Sequence, residues 1–255
     1  LKKITSALPK SAKKSSRDFV ADFYELSTVN DLQELSASRA ASIALECEKF
    51  FATRPTTGPK ISITKTIVNE AGRNIARTQI IVLNNDMPFL VDSLSGLFTS
   101  LGLSIHLVLH PILEATRKNK KQRESLIHAE LSPLPSELAT ETLNQHIHTT
   151  LAHVSAAVAD WPTMKARVMA LADHYSTAKP SKNKTESAEI RDLLLWLASN
   201  HFVFLGLADY RAKGATLTLD KATVLGIYRL DARSKNAIER ATTPTTSDTI
   251  SVLKA

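Results

Sequence analysis

IIVLNNDMPFLVDSLSGLFTSLGLSIHLVLHPIL, residues Ile80 to Leu113, holds a strand, a polar turn, an amphipathic helix, a glycine stop and a second strand with no residues to spare. Ile80 to Leu83 is apolar and β-branched, as a buried strand requires. Asn84, Asn85 and Asp86 then offer side chains able to cap the unpaired N–H groups of a following helix. Pro88 falls where the first helical turn is expected, and its missing N–H costs nothing there. Leu90, Leu94, Leu97, Phe98 and Leu101 share one helical face, opposite Asp92, Ser95 and Thr99. Gly102 supplies the left-handed residue that ends a helix. From Leu103 the period shortens to two, with Leu103, Ile105, Leu107 and Leu109 alternating with Ser104, His106, Val108 and His110. The whole is a β-α-β unit.

Upstream, Ile61 to Val68 and Ala76 to Leu83 flank a turn at Glu70-Ala71-Gly72, a hairpin feeding this unit. Helices are expected over 18–26 and 31–53, the second capped at Asn30-Asp31 and ended by RPTTGP from Arg54, because a residue before proline is driven out of the helical region. Downstream, a loop RKNKKQR from Arg117 turns the chain into a strand at Glu124 to Leu131. There Ser125, Ile127, Ala129 and Leu131 face one way and Glu124, Leu126, His128 and Glu130 the other. So short a connection makes this strand antiparallel to the one before it. A helix over 136–159 follows, stopped at Asp160-Trp161-Pro162, and another runs to Tyr175.

Strand, helix, strand, strand, helix is the order of an α+β, ferredoxin-like antiparallel sheet with helices on one face. Ile61 to Val68 is expected as the fourth strand, in preference to Phe202 to Tyr210. Past the polar linker STAKPSKNKT, a helix at 186–199 and strands at 202–210, 216–219 and 224–230 open a second α/β module, left incomplete at Ala255. The expected organisation is a flexible basic leader (1–17), N-terminal helices (18–58), the sheet domain with its helical extension (59–175), a linker (176–185) and the second module (186–255). Trp161 and Trp196 are expected as core anchors, and Phe202, Phe204 and Tyr210 as one buried strand face.

Composition narrows the classes. No apolar run approaches the ~20 residues that a bilayer-spanning helix needs. Cys47 is the single cysteine, which excludes an internal disulfide and a cysteine-rich zinc site and points to a reducing, cytoplasmic setting. The net charge of +7 invites a nucleic-acid partner, but the excess sits in three tail or loop segments, at Lys2–Arg17, RKNKKQR and KPSKNK. RNA-binding sheets of this architecture stack bases on aromatic side chains, and the strands at 103–109 and 124–131 contain none. The seven glycines include no G-x-G-x-x-G, and no Walker loop, nucleophile elbow or HExxH occurs. No catalytic residue is assigned.

NDMPFLVDSL at 85–94, followed by GLSIHLVLHPIL at 102–113, closely resembles the amino-terminal region of the large bacterial NAD-specific glutamate dehydrogenases. RESLIHAEL from Arg123, AAVADWPTMKARVMAL from Ala156, LLLWLASNHFVFLGLADY from Leu193 and VLGIYRL from Val224 resemble the same family in the same order. The resemblance covers roughly 19–230. It implies a non-catalytic segment built of ACT-like modules, with the NAD-binding dehydrogenase domain far downstream. No cofactor is then expected in this chain, and NAD belongs to the parent enzyme. Self-association, the downstream domains and a small amino-acid effector are the implied partners, with neither nucleic acid nor membrane. A free-standing ACT-type amino-acid sensor is the alternative.

Two candidate sites follow. Regulatory ACT domains bind amino acids at the turn between strand and helix, here Asn84, Asn85, Asp86, Met87 and Pro88, which is similar to their Asp-x-Pro-Gly pattern except that Phe89 stands at the glycine. A helix N-terminus there would meet a carboxylate, and Asp86 or Asn85 an ammonium. A helix cap is the plainer reading of the same residues. The second candidate joins His106 and His110 of one strand with His128 and Glu130 of its neighbour, a donor set suited to zinc or another borderline metal. That polar face could equally pack against another module.

Overall fold

β1 (Lys60–Glu70) and β2 (Arg73–Asn85) form the expected antiparallel hairpin, with Ile61 opposite Val82 and Val68 opposite Ile75. The computed structural model describes residues 1–25, 27, 35–55, 57–70, 72–177, 184–213, 216–230 and 249–254. They divide into two compact units, Leu1–Leu151 and Ala152–Ala255.

In the first unit, β2 leads through α4 (Leu90–Ser100) to β3 (Ile105–Leu109), β4 (Ile112–Arg117) and β5 (Lys120–Leu131). The strand order is β1-β2-β5-β3, with β4 also paired to β5 and every pairing antiparallel. β1 therefore takes the fourth position beside β2, as expected. β3 and β4 are one edge strand interrupted at His110-Pro111, and the Leu126 N–H reaches across the break to Pro111 O at 3.0 Å. The expected loop after Arg117 is instead a two-residue turn. Lys118 and Asn119 have φ of 48° and 62°, the left-handed pair that matches the twist of a tight hairpin, so β5 begins at Lys120.

Register fixes the two faces of the sheet. Ile80 sits opposite Ala129 and Val82 opposite Ile127, while Ile81 sits opposite His128 and Leu83 opposite Leu126. The first set is buried on the side of α4 and the first turns of α5 (Thr140–Thr177), whose own buried stripes are Leu90, Leu94 and Phe98, and Leu143, Ile147 and Leu151. The second set packs against three N-terminal helices, α1 (Lys2–Ser6), α2 (Lys14–Phe23) and α3 (Ala37–Ala52). The sheet is thus covered on both sides. The segment expected as a flexible leader supplies α1 and the start of α2, because Ile4 and Leu8 bury into the Val20–Phe23 core while the lysines stay in water. α3 begins at Ala37, capped by the Ser36 hydroxyl, which accepts from the Arg39 N–H at 3.2 Å. The cap expected at Asn30-Asp31 lies outside the described residues.

α5 runs through Pro162 without the stop expected there. A proline inside a helix loses one hydrogen bond, but Val154, Ala157, Met164, Val168 and Ala172 continue one buried stripe past it. The division of the chain falls within this helix, not at the expected linker, of which 178–183 lie outside the described residues.

The second unit adds α6 (Lys184–Trp196), a kinked turn over Leu197–His201 with Asn200 left-handed at φ 66°, and a three-stranded antiparallel sheet ordered β7-β6-β8 from β6 (Gly206–Lys213), β7 (Thr216–Gly226) and β8 (Thr249–Lys254). Met164, Val168, Ala198, Phe204 and Leu207 form its core, joined by Trp161. Trp196 is no core anchor: it is 46% exposed, stacked on His201 and edge-on to Phe202, itself exposed because β6 starts only at Gly206. The two strands expected at 216–219 and 224–230 are one strand, β7, followed by a 3-10 turn at Ile227–Arg229.

Candidate functional site

The turn between β2 and α4 differs from a simple capped helix start. Asn84 and Asn85 remain in the strand, opposite Ser125 and Glu124, so neither side chain caps the helix. The Asp86 N–H donates to Arg123 O at 3.0 Å, and its carboxylate faces the Arg123 guanidinium at 3.4 Å. Met87 follows, and Pro88 lies before the helix rather than in its first turn. Phe89 occupies the cap position with φ 69° and no side-chain hydrogen bond caps the helix. The backbone adopts the left-handed form at the position where the Asp-x-Pro-Gly pattern has glycine, at a cost of ~1–2 kcal/mol for a residue with a Cβ. Its ring is 43% exposed and leaves the first N–H groups of α4 without a capping side chain.

Around this turn the sheet gathers further polar groups. Asn84 and Ser125 are buried neighbours on the α4 side, and the His110 ring nitrogen Nε2 is hydrogen-bonded to Ser125 Oγ. Burial holds the His110 pKa below its ordinary value, against the pull of the nearby Asp86 carboxylate. The assembled groups are a helix N-terminus, Arg123, Asp86, and the neutral donors and acceptors of Asn84, Ser125 and His110. Such a set can meet a carboxylate and an ammonium at once. His110, Arg123 and Ser125 were not assigned to the turn from sequence. The signal was present in the alternation, which puts Asn84 and Ser125 on one face once the register is known.

The second candidate does not come together. Leu109 sits opposite His128, and directly opposed residues share a face, so His110 lies on the other side of the sheet from His128 and Glu130. His106 is exposed at a bulge in β3. Glu130 is bound by the Arg39 guanidinium, and His128 is buried beneath α1–α3. Among the described residues no group of three His, Cys, Asp or Glu side chains could hold a metal ion. The polar face packs instead against the chain's own N-terminal helices.

A buried charged cluster lies on that same face. Glu124 is fully buried and accepts from Arg54 Nη1 at 2.7 Å, from Arg117 Nη2 at 2.9 Å and from Gln122 Nε2 at 2.6 Å. Burial pushes its pKa up, yet these hydrogen bonds win and hold it below the usual glutamate value. With both arginines turned inward onto one carboxylate, the cluster is a structural joint between strand and helices.

A β-α-β-β-α order, the antiparallel sheet and the strand-to-helix turn meet their counterpart in one family: residues 19–161 match the ACT1 domain of glutamate dehydrogenase. The chain belongs to this family. It is 26% identical over 231 residues to the NAD-specific glutamate dehydrogenase of Pseudomonas aeruginosa, covering 83% of this chain and 14% of that protein. Over 229 residues it is 26% identical to the NAD-specific glutamate dehydrogenase of Halomonas elongata, covering 82% of this chain and 14% of that one. The chain thus spans about a seventh of the length of these relatives. Among the described residues no helix is long and apolar enough to cross a membrane.

Proposed function

We propose that this chain is the non-catalytic, regulatory and assembly segment at the amino-terminal end of a large NAD-specific glutamate dehydrogenase. The parent enzyme in this reading oxidatively deaminates L-glutamate to 2-oxoglutarate and ammonia with reduction of NAD in the cytoplasm, and the NAD site lies in another part of the polypeptide. Its partners are other copies of the same enzyme and the enzyme's own downstream domains. The observation that carries the reading is the ACT1 match over 19–161 on a sheet whose strand-to-helix turn is left-handed at Phe89.

At that turn the segment binds an α-amino acid: the α4 N-terminus and Arg123 take the carboxylate, and Asp86 takes the ammonium. The test is the melting temperature of the chain against a panel of amino acids including glutamate, with Asp86→Ala alongside. A ligand at about 100 times its Kd stabilises by about 2.7 kcal/mol. A shift for one amino acid that Asp86→Ala abolishes supports the sensing site. A flat panel from a cooperatively melting protein removes the effector and leaves assembly.

A further inference from the structure

Beneath α1–α3 the sheet face is half apolar and half polar. Ile81, Leu83 and Leu126 pack against the helices, and between them stand Gln79, Glu124, His128 and Glu130, all buried. Three of these polar groups are met by a side chain from α3 or from the segment just after it. Gln79 Nε2 donates to Glu46 at 2.7 Å, Arg54 donates to Glu124 at 2.7 Å, and Arg39 is bound to Glu130. His128 is the exception. Its ring is fully buried and neither ring nitrogen has a hydrogen-bond partner.

We propose that α1–α3 form a cap that lifts from the sheet in mild acid, with protonation of His128 as the event that releases it. A proton on this ring would place a second cation beside the Arg39 guanidinium in a site closed to water. The backbone at His128 itself pulls weakly the other way, and no neighbouring side chain compensates. From α3, Arg39 and Glu46 are already engaged, and Cys47 is held as a neutral thiol by burial. Tyr24, just past α2, is held as a neutral phenol by burial and donates to Ala40 O at 2.9 Å. Along the same strand, Glu130 is bound to Arg39 and Glu124 to Arg54 and Arg117. The residues opposite on β2 and β3 are Ile81 and Leu109. Water is therefore what a protonated His128 needs, and the helices keep water out.

Burial, aided by the Arg39 charge, lowers the His128 pKa from 6.5 to about 4. The closed form thus keeps its full advantage above 6.5 and loses it progressively as the pH falls from there toward 4. Going from about pH 7.5 to about pH 5.5, the opening equilibrium rises about tenfold from this one group. The other side of the sheet has its own cover in α4 and α5, so the strands retain a core when the cap is away.

Cys47, the single cysteine, is fully buried on α3 and reports the opening. The test labels the whole 255-residue chain with 4,4′-dithiodipyridine, a disulfide that thiols attack, releasing thiopyridone, in acid as well as at neutrality. Each rate is divided by that of an unstructured cysteine peptide at the same pH. The expected result is an increase of about tenfold between about pH 7.5 and about pH 5.5 with an unchanged circular dichroism spectrum, lost in His128→Leu and in His128→Phe. In parallel, and with no variant, amide exchange corrected for intrinsic rates should accelerate in α2 and α3 but not in α4. A flat labelling profile overturns the proposal, as does a rise that persists in whichever variant folds. Exchange in α4 that keeps step with α3 overturns it too, since the chain would then be opening as a whole.

Discussion

The two faces of one sheet are held by different chemistry. Toward α4 and α5 the buried residues of β2 and β5 are Ile80, Val82, Ile127, Ala129 and Leu131, with Thr78, Asn84 and Ser125 at the ends. Toward α1–α3 the same two strands alternate Ile81, Leu83 and Leu126 with Gln79, Glu124, His128 and Glu130. Apolar burial is non-directional and indifferent to protons. A buried ion pair is conditional, because each charge is tolerated only while its partner stays in place. β5 is therefore two strands in one: its odd-numbered residues serve a layer held chiefly by apolar burial, and its even-numbered residues serve one in which Leu126 shares the face with buried groups that need matched partners.

Glu124→Ala makes the largest break. It leaves the Arg54 and Arg117 guanidinium groups facing a site without a carboxylate, and losing one member of a buried pair costs about 3–5 kcal/mol. Urea unfolding followed by circular dichroism measures this as a fall in midpoint. A cost under about 1 kcal/mol would mean that the apolar residues alone hold the N-terminal helices. On the other face, Leu94→Ala on α4 should cost about 3 kcal/mol through lost burial and a cavity. Its cost should be the same at low and high salt, which separates the two layers if that of Glu124→Ala is not.

The local periodicities made the β-α-β unit, the alternation in β5 and the hairpin of β1 and β2 legible, because each is written within a dozen neighbouring residues. What escaped depends on distant partners. The metal set at His106, His110, His128 and Glu130 required a register between strands, and the pairing of Leu109 with His128 put His110 on the opposite face. The same hidden register carried His110 to the strand-to-helix turn instead. Asn84 and Asn85 looked like caps, yet pairing with Ser125 and Glu124 keeps them in β2. Pro162 signalled a stop that a continuous buried stripe overrode. α1 went unread because two apolar residues among lysines acquire meaning only against a core made elsewhere.

Smaller changes sharpen the contrast. Ser36→Ala removes the cap of α3 and should cost about 1 kcal/mol. Because α3 carries Arg39, which binds Glu130, the loss should also speed labelling of Cys47 at neutral pH. An equal loss of stability with unchanged labelling would show that α3 does not move as part of a cap.

Phe89→Gly should produce the smallest shift, and its sign is informative. Glycine relieves the ~1–2 kcal/mol of left-handed strain at φ 69°. Against that stand glycine's greater freedom in the unfolded chain, ~0.5–1 kcal/mol, and the half-exposed ring's modest contacts. The net expectation is a gain of a few tenths of a kcal/mol, read as a slightly higher urea midpoint. A clear loss would mean that the ring packs for stability and that its backbone strain is incidental. A gain would mean that the residue was kept at the turn despite its strain, beside Asp86 and the uncapped N–H groups of α4. In that case the amino-acid panel repeated on Phe89→Gly decides the role of the ring. Tighter binding makes it a gate over the helix N-terminus, and weaker binding makes it one wall of the site.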